Sequence, residues 1–277
     1  MSKVVLITGC STGIGRDLAQ RLTQAGYTVV ATARRAEDLN DLPAALKLSL
    51  DVTRPDSIDA AVAYTLQQFG RIDVLVNNAG YALRGALEEV PDEQVQQMFD
   101  VNVFGVLRLI RVVAPHMRQQ GTGCIINVSS IAGKLSTPVN GTYSATKFAL
   151  EALSDALRLE LAPFGIQVVV IEAGAIKTHF DDTAQAHAQD ILSNSASPYQ
   201  PLYRKSDQFA ASMRQQEPGP EVVSQMIQQA IETPKPKARY IAAVAPSGRL
   251  VLLLRDLIWD PVLQRMFKIE PAERKTP

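Results

Sequence analysis

Neither sign of charge dominates this sequence: 28 Lys and Arg balance 28 Asp and Glu across 277 residues. A sequence-independent grip on nucleic acid needs a basic stripe to neutralise phosphates, so a zero sum without any Lys/Arg block argues against such a partner. Cysteine is scarce as well. The two present, Cys10 and Cys124, lack metal-ligand spacing, so a reduced, cytoplasmic protein is the expected setting and packing their expected role. No window reaches the roughly 18 to 20 apolar residues that a membrane-spanning helix needs. The densest late run, Leu250 to Leu254, is bracketed by Arg249 and Arg255. The apolar stretch Val4 to Thr8 is too short for the core of a secretory signal, and export is not expected. Without export, the glycosylation-like patterns Asn127-Val-Ser129 and Asn140-Gly-Thr142 are chance matches.

What remains is an ordinary globular composition, 46% hydrophobic and 20% charged, in a chain long enough to bury a sizeable core. Val4 to Thr8, Thr28 to Thr32, Lys47 to Leu50, Asp73 to Val76, Cys124 to Ser129, Gln167 to Ile171 and Tyr240 to Val244 read as strands. Helix-length segments separate them. Continuous apolar strands alternating with helices indicate a parallel sheet covered on both faces, a doubly wound α/β fold of about seven strands. Residues 1–277 are expected to form one Rossmann-type domain.

The pattern loosens over residues 178–220, which carry Pro198, Pro201 and Pro218 with Tyr199, Tyr203 and Phe209. An insertion of short helices after a strand's carboxyl end is expected there, placed as a lid over a substrate. Residues 245–277 read as an amphipathic C-terminal extension, with Trp259, Val262, Met266 and Phe267 at broadly helical spacing. Packing on its own domain or on a partner subunit is expected, with membrane-surface contact as the alternative.

The first strand runs into Thr8-Gly9-Cys10-Ser11-Thr12-Gly13-Ile14-Gly15 and then into a helical pattern. A backbone that approaches a pyrophosphate closely needs residues without side chains, and the following helix N-terminus offers free N–H groups to the anion. A glycine pattern alone is also a plain tight turn; its place after the first strand favours the phosphate. The second strand ends in Ala33-Arg34-Arg35, with no acid. A carboxylate there would bond the ribose 2′-hydroxyl of NAD, whereas arginine can grip a 2′-phosphate, so Arg34 points to NADP(H) in preference to NAD(H). Two solvated loop arginines are the plainer alternative.

Further on stand Asn77-Asn78-Ala79-Gly80, Asn102, Val128-Ser129-Ser130 and Tyr143-Ser-Ala-Thr-Lys147. Tyr143 and Lys147 lie four apart on a predicted helix and so project from one face. An ammonium beside a phenol favours phenolate and brings proton transfer within reach. Alone, the pair is equally a helix surface contact.

Together, Thr8-Gly-x-x-x-Gly-x-Gly15, Asn77-Asn-Ala-Gly80, Asn102, Ser130 and Tyr143-x-x-x-Lys147 resemble the short-chain dehydrogenase/reductase family over about residues 3 to 180. The resemblance implies Tyr143 as general acid/base, Ser130 holding the carbonyl oxygen, Lys147 on the nicotinamide ribose and Asn102 keeping a proton-relay water. The family's gap of thirteen residues before the tyrosine selects Ser130 over Ser129. It further implies cofactor contacts from Gly9, Ser11, Thr12, Gly13, Ile14 and Gly15, with Asp51 and Val52 at the adenine. Asn78, Ala79 and Gly80 form a wall, and Gly174, Ile176 and Thr178 stand at the nicotinamide end. Ala173 replaces a proline usual in the family. Tyr143-Ser-Ala-Thr-Lys-Phe-Ala-Leu-Glu-Ala-Leu and Ile171-Glu-Ala-Gly are similar to the 17-beta-hydroxysteroid and retinol dehydrogenase branch. That implies a hydrophobic alcohol or carbonyl substrate and a homodimer or homotetramer. A catalytically silent dinucleotide-binding regulator or scaffold is the competing function. His116, His179 and His187 form no metal-ligand pattern.

Overall fold

The computed structural model describes residues 2–178, 180–214, 217–254, 261–263 and 265. Seven strands form one sheet: β1 (Val4–Ile7), β2 (Thr28–Ala33), β3 (Leu46–Ser49), β4 (Val74–Asn77), β5 (Gly123–Ser130), β6 (Ile166–Ala173) and β7 (Arg239–Ala242). They lie in the order β3-β2-β1-β4-β5-β6-β7, and each neighbouring pair is parallel. The helices before the last crossover are α1 (Gly13–Gln24), α2 (Pro55–Phe69), α3 (Asp92–Phe99), α4 (Gly105–Gln120) and α5 (Gly141–Leu161). After β6 come α6 (Phe180–His187), α7 (Gln189–Leu192), α8 (Gln200–Arg214) and α9 (Glu221–Glu232), and α10 (Pro246–Leu253) follows β7.

Both faces of the sheet are covered, which is why the strands read as unbroken apolar runs. Successive side chains alternate between faces. Val5 and Ile7 join Leu18 and Leu22 of α1 and Val223 and Ile227 of α9, while Val4 and Leu6 join Ile58 of α2, Leu109 of α4 and Leu150 of α5. At about 1.5 to 3 kcal/mol per fully buried large aliphatic side chain, these two layers dominate the stability of the fold. The strand order reverses between β1 and β4, where an open α/β sheet forms a crevice at its carboxyl edge.

The expected fold class and its seven strands are present, with two local corrections. The last strand ends at Ala242 and does not continue to Val244, because Ala243 adopts a left-handed backbone at φ 57°. The helices after β6 are not all short: α8 runs for 15 residues. Pro201 sits in its first turn, where no intrahelical N–H is required. Trp259, Met266 and Phe267 of the expected amphipathic extension lie outside the described residues, as does His179.

Both cysteines are buried and free, and burial pushes each thiol up to about 12. That suits packing rather than reactivity. Among the described residues, no helix is long and apolar enough to cross a membrane.

Candidate active site

The site is assembled at the β1/β4 crevice. Thr8, just past β1, ties the glycine turn to the end of β4: its Oγ accepts from the N–H groups of Asn78 and Ala79, both at 3.0 Å. Asn78 Nδ2 donates in return to the carbonyls of Thr8 (2.9 Å) and Gly9 (3.0 Å). Gly9 and Gly13 hold positive φ angles of 72° and 59°. A Cβ on Gly9 would stand 2.9 Å from Ala79 Cα, and one on Gly15 would meet Asn78 Nδ2 at 2.5 Å. Glycine is therefore required by close backbone approach. Thr12 is the N-cap of α1 and makes no side-chain cap bond, and Ile14 packs on the core. The first turn of α1 contains no acid, so its N–H groups face the crevice without a competing carboxylate.

The other wall comes from the far end of the chain. Thr178 Cγ2 lies 3.4 Å from where a Gly13 Cβ would be, so the segment after β6 closes over the glycine turn. Ile176 packs on the core beneath it, and Gly174 allows close approach of the Ala243 carbonyl.

At the end of β2, Arg35 is engaged with Asp38 at 2.7 Å. Arg34 is exposed, and its backbone carbonyl accepts from Ser49 Oγ at 2.8 Å. Its guanidinium has no acidic partner among the described residues. Arg16 reaches the Ser11 carbonyl at 3.4 Å and pairs with Asp41. Asp51 turns its carboxylate onto Thr53, accepting from N at 2.9 Å and Oγ1 at 2.7 Å. Val52 is buried against Gly105.

The chemical end lies beside Gly80, where a Cβ would stand 3.0 Å from Asn102 Oδ1 and 3.9 Å from Lys147 Nζ. Asn102 occupies a π-helical turn, Asp100–Phe104, between α3 and α4. Such turns redirect side chains and often accompany functional positions. Its amide donates to the Tyr81 carbonyl (2.8 Å) and to Thr146 Oγ1 (3.1 Å), and its Oδ1 accepts from the Tyr81 N–H (3.1 Å).

Ser130 ends β5 and caps a short 3₁₀ turn, its Oγ accepting from Ala132 N at 3.1 Å. Tyr143 and Lys147 share the buried face of α5, with the ammonium 5.6 Å from the ring centroid. Lys147 donates to the Val128 carbonyl at 2.9 Å. Burial lowers Lys147 from 10.5 to about 8, opposed by the charge of Glu151.

This shift has a measurable consequence. The unfolded chain keeps a lysine charged to about pH 10.4, so between about pH 8 and that value the unfolded state binds the extra proton. The burial penalty is thus complete below pH 8 and relieved as pH rises through the window. In a lysine ¹³Cε NMR titration of the free protein, one resonance is expected to titrate near 8 and to vanish in Lys147→Met. Uniform lysine titration above 10 would contradict this placement.

Three features of the site escaped the sequence. Phe180, at the start of α6, packs edge-on against Tyr143 with centroids 5.6 Å apart. Val139 adopts φ 71°, rare for a β-branched residue, and its carbonyl accepts from Gly85 at 2.9 Å. Arg84 anchors α8 through Asp207 and Ser206, both at 2.8 Å. No spacing pattern marks these contacts, since each joins distant segments.

A turn that a Cβ would fill, an acid-free helix N-terminus facing it and a phenol–ammonium pair nearby fit a nicotinamide dinucleotide laid across the crevice. The family model described as short chain dehydrogenase matches residues 3–189. The chain is 41% identical over 180 residues to a 3-ketodihydrosphingosine reductase of Bacteroides thetaiotaomicron, covering 65% of this chain and 66% of that protein. It is 34% identical over 273 residues to human 17-beta-hydroxysteroid dehydrogenase type 1, covering 93% of this chain and 81% of that one. A crystal structure of a short-chain dehydrogenase from Streptomyces avermitilis superposes with a TM-score of 0.78 at 35% identity, covering 97% of this chain and 96% of the other. The chain belongs to the short-chain dehydrogenase family of oxidoreductases.

Proposed function

We propose that this oxidoreductase uses NADP(H) to interconvert a hydrophobic alcohol with its ketone or aldehyde, with Tyr143 as the general acid/base. The observation that carries the reading is the convergence of Gly80, Asn102 and Lys147 beside the glycine turn, with Tyr143 one helical turn from Lys147. The glycine turn Gly9 to Gly15, Asn78 to Gly80 and Gly174 to Thr178 would hold the dinucleotide, with Asp51 and Val52 at its adenine end. When bound, the nicotinamide supplies or accepts the hydride.

The remaining chemistry belongs to the chain. Ser130 Oγ holds and polarises the substrate oxygen. Tyr143 gives its phenolic proton to that oxygen in reduction and takes one from the alcohol in oxidation. Lys147 lends positive charge to the phenolate and binds ribose. Asn102, locked at both amide ends, keeps its backbone turn open for a relay water. Residues 178–220 act as the substrate lid, and Phe180 excludes water from the Tyr143 ring.

The apolar cluster of Leu83, Val139, Ala184, Ala188 and Ile191 around Tyr143 supports an apolar substrate. So do relatives named as a 3-ketodihydrosphingosine reductase and a 17-beta-hydroxysteroid dehydrogenase. Assembly as a homodimer or homotetramer through the helices bearing Asn102 and Tyr143 belongs to the same reading. Phe104 and Leu159 stand 48% and 78% exposed there.

NADPH oxidation at 340 nm with 2-decanone and a 17-ketosteroid tests the reaction class. Binding without turnover of either would favour the silent regulator. Cofactor preference is tested separately. Because Arg34, beside β2, has no acidic partner among the described residues, Arg34→Asp is expected to weaken NADPH relative to NADH by about 10- to 100-fold in kcat/KM, equivalent to about 1.4 to 2.8 kcal/mol. An unchanged preference would refute its role.

A further inference from the structure

Beneath the catalytic pair lies an ionic cluster, built on two buried glutamates and partly exposed cations, that the reaction does not use directly. Glu151 and Glu172 are 5% and 2% exposed. Both are held by the same two cations: Lys134 Nζ lies 3.3 Å from Glu151 and 3.5 Å from Glu172, and Arg239 Nε lies 3.0 Å and 3.2 Å from them. Arg239 also bridges to Asp155, which in turn binds Arg158; both contacts are 2.6 Å. Glu151 retains one buried oxygen, Oε1, with no hydrogen-bond partner, while Glu172 Oε1 faces both cations as an ion pair. Charge-assisted hydrogen bonds from Arg239 to Glu151 and Asp155 and longer ion pairs to Glu172 together hold the cluster.

Its members come from four elements that meet at the site. Lys134 ends the 3₁₀ turn that Ser130 begins. Glu151 follows Lys147 by one turn of α5. Glu172 pairs in register with Ser129 on β5, and Arg239 opens β7. The turn rests directly on the helix. A Cβ on Gly133 would stand 3.0 Å from Glu151 Cγ and 3.1 Å from both the Lys147 carbonyl and Ser129 Oγ.

A buried ion cluster adds little stability over apolar side chains of equal volume, because desolvation offsets the attraction. What it contributes is a fixed distance. We propose that Lys134, Glu151, Glu172 and Arg239 are positioning residues that lock the turn capped by Ser130 onto the helix carrying Tyr143 and Lys147. The separation of the serine and tyrosine hydroxyls is thus set from below. This inference rests on the proposed roles of Ser130 and Tyr143.

Steady-state kinetics with NADPH and whichever of 2-decanone and a 17-ketosteroid turns over faster provide the test, alongside NADPH binding by fluorescence and thermal melts without cofactor. Lys134→Met is expected to lower kcat about tenfold or more while the NADPH Kd stays within about twofold, because small misplacement of a reacting group costs rate more than binding. Lys134→Arg is expected to restore kcat to within about threefold, since it keeps the charge. In a Ser130→Ala background, Lys134→Met is expected to cost less than about twofold more, because groups that act as a unit are non-additive.

A purely structural role would lower Tm and leave kcat intact; an unchanged kcat in folded Lys134→Met overturns the proposal. So does a full tenfold loss on top of Ser130→Ala. Should Lys134→Met not fold, Glu172→Asp keeps every charge, withdraws one carboxylate by a methylene and carries the same expectations. Tyr143→Phe in the same assay separates the failures. Full turnover there would remove the underlying reading, whereas its loss beside unaffected Lys134→Met would remove the positioning role alone.

Discussion

Tyr143→Phe is expected to lower kcat by about 10³-fold while NADPH binding stays within about threefold, general acid/base groups contributing roughly 10² to 10⁴ in rate. The substitution is nearly isosteric. Tyr143 is buried, its ring meets Phe180 edge-on at 5.6 Å, and Lys147 Nζ lies 5.6 Å from the ring centroid. Phenylalanine preserves the ring and its contacts, so the melting temperature is expected to change little. Only the hydroxyl is removed. A loss of rate with intact binding is therefore assignable to the hydroxyl, with kcat from steady-state kinetics and Kd from cofactor fluorescence as the two readings.

Gly15→Ala is expected to act at the opposite end of the crevice, on binding rather than chemistry. The new Cβ would run into the Gly9 carbonyl and stand 2.5 Å from Asn78 Nδ2. Neither neighbour can move freely, because Asn78 donates to that carbonyl at 3.0 Å and to the Thr8 carbonyl at 2.9 Å. Overpacking a tight site costs about 1 to 3 kcal/mol. If most of that cost falls on the phosphate-binding conformation, NADPH Kd rises about 10- to 100-fold. The remainder appears as a Tm lowered by about 2 to 4 °C per kcal/mol. Wild-type affinity in this variant would mean that the glycine turn does not hold the dinucleotide.

The fold was legible because its strands are buried on both faces. Val4 to Ile7 reads as a strand since each side chain enters one apolar layer or the other. The site was legible where chemistry demands a local spacing. Gly13 and Gly15 flank one residue, and Tyr143 and Lys147 stand one helical turn apart. Contacts made across the fold left no such mark. Phe180 looks like any apolar residue in a variable segment until the chain folds it onto Tyr143. Glu151 and Glu172 look like single acids in apolar surroundings until Lys134 and Arg239 arrive from other elements. Two expectations, all-short helices after β6 and a last strand reaching Val244, were corrected for local backbone reasons. Pro201 resembles a helix breaker but occupies a first turn, where proline is tolerated. Ala243 continues an apolar run yet turns left-handed, ending β7 at Ala242, two residues short of the expected Val244.

The central claim is that hydride passes between a nicotinamide and an apolar carbonyl carbon at Tyr143. Its most direct measurement uses NADPH deuterated on the transferable position of the nicotinamide, incubated with the protein and either 2-decanone or a 17-ketosteroid. Mass spectrometry of the products is expected to find one deuterium on the carbinol carbon from the wild-type protein and almost no product from Tyr143→Phe. Cofactor bound by the wild-type protein with no labelled alcohol from either ketone, or equal labelling by Tyr143→Phe, would contradict it.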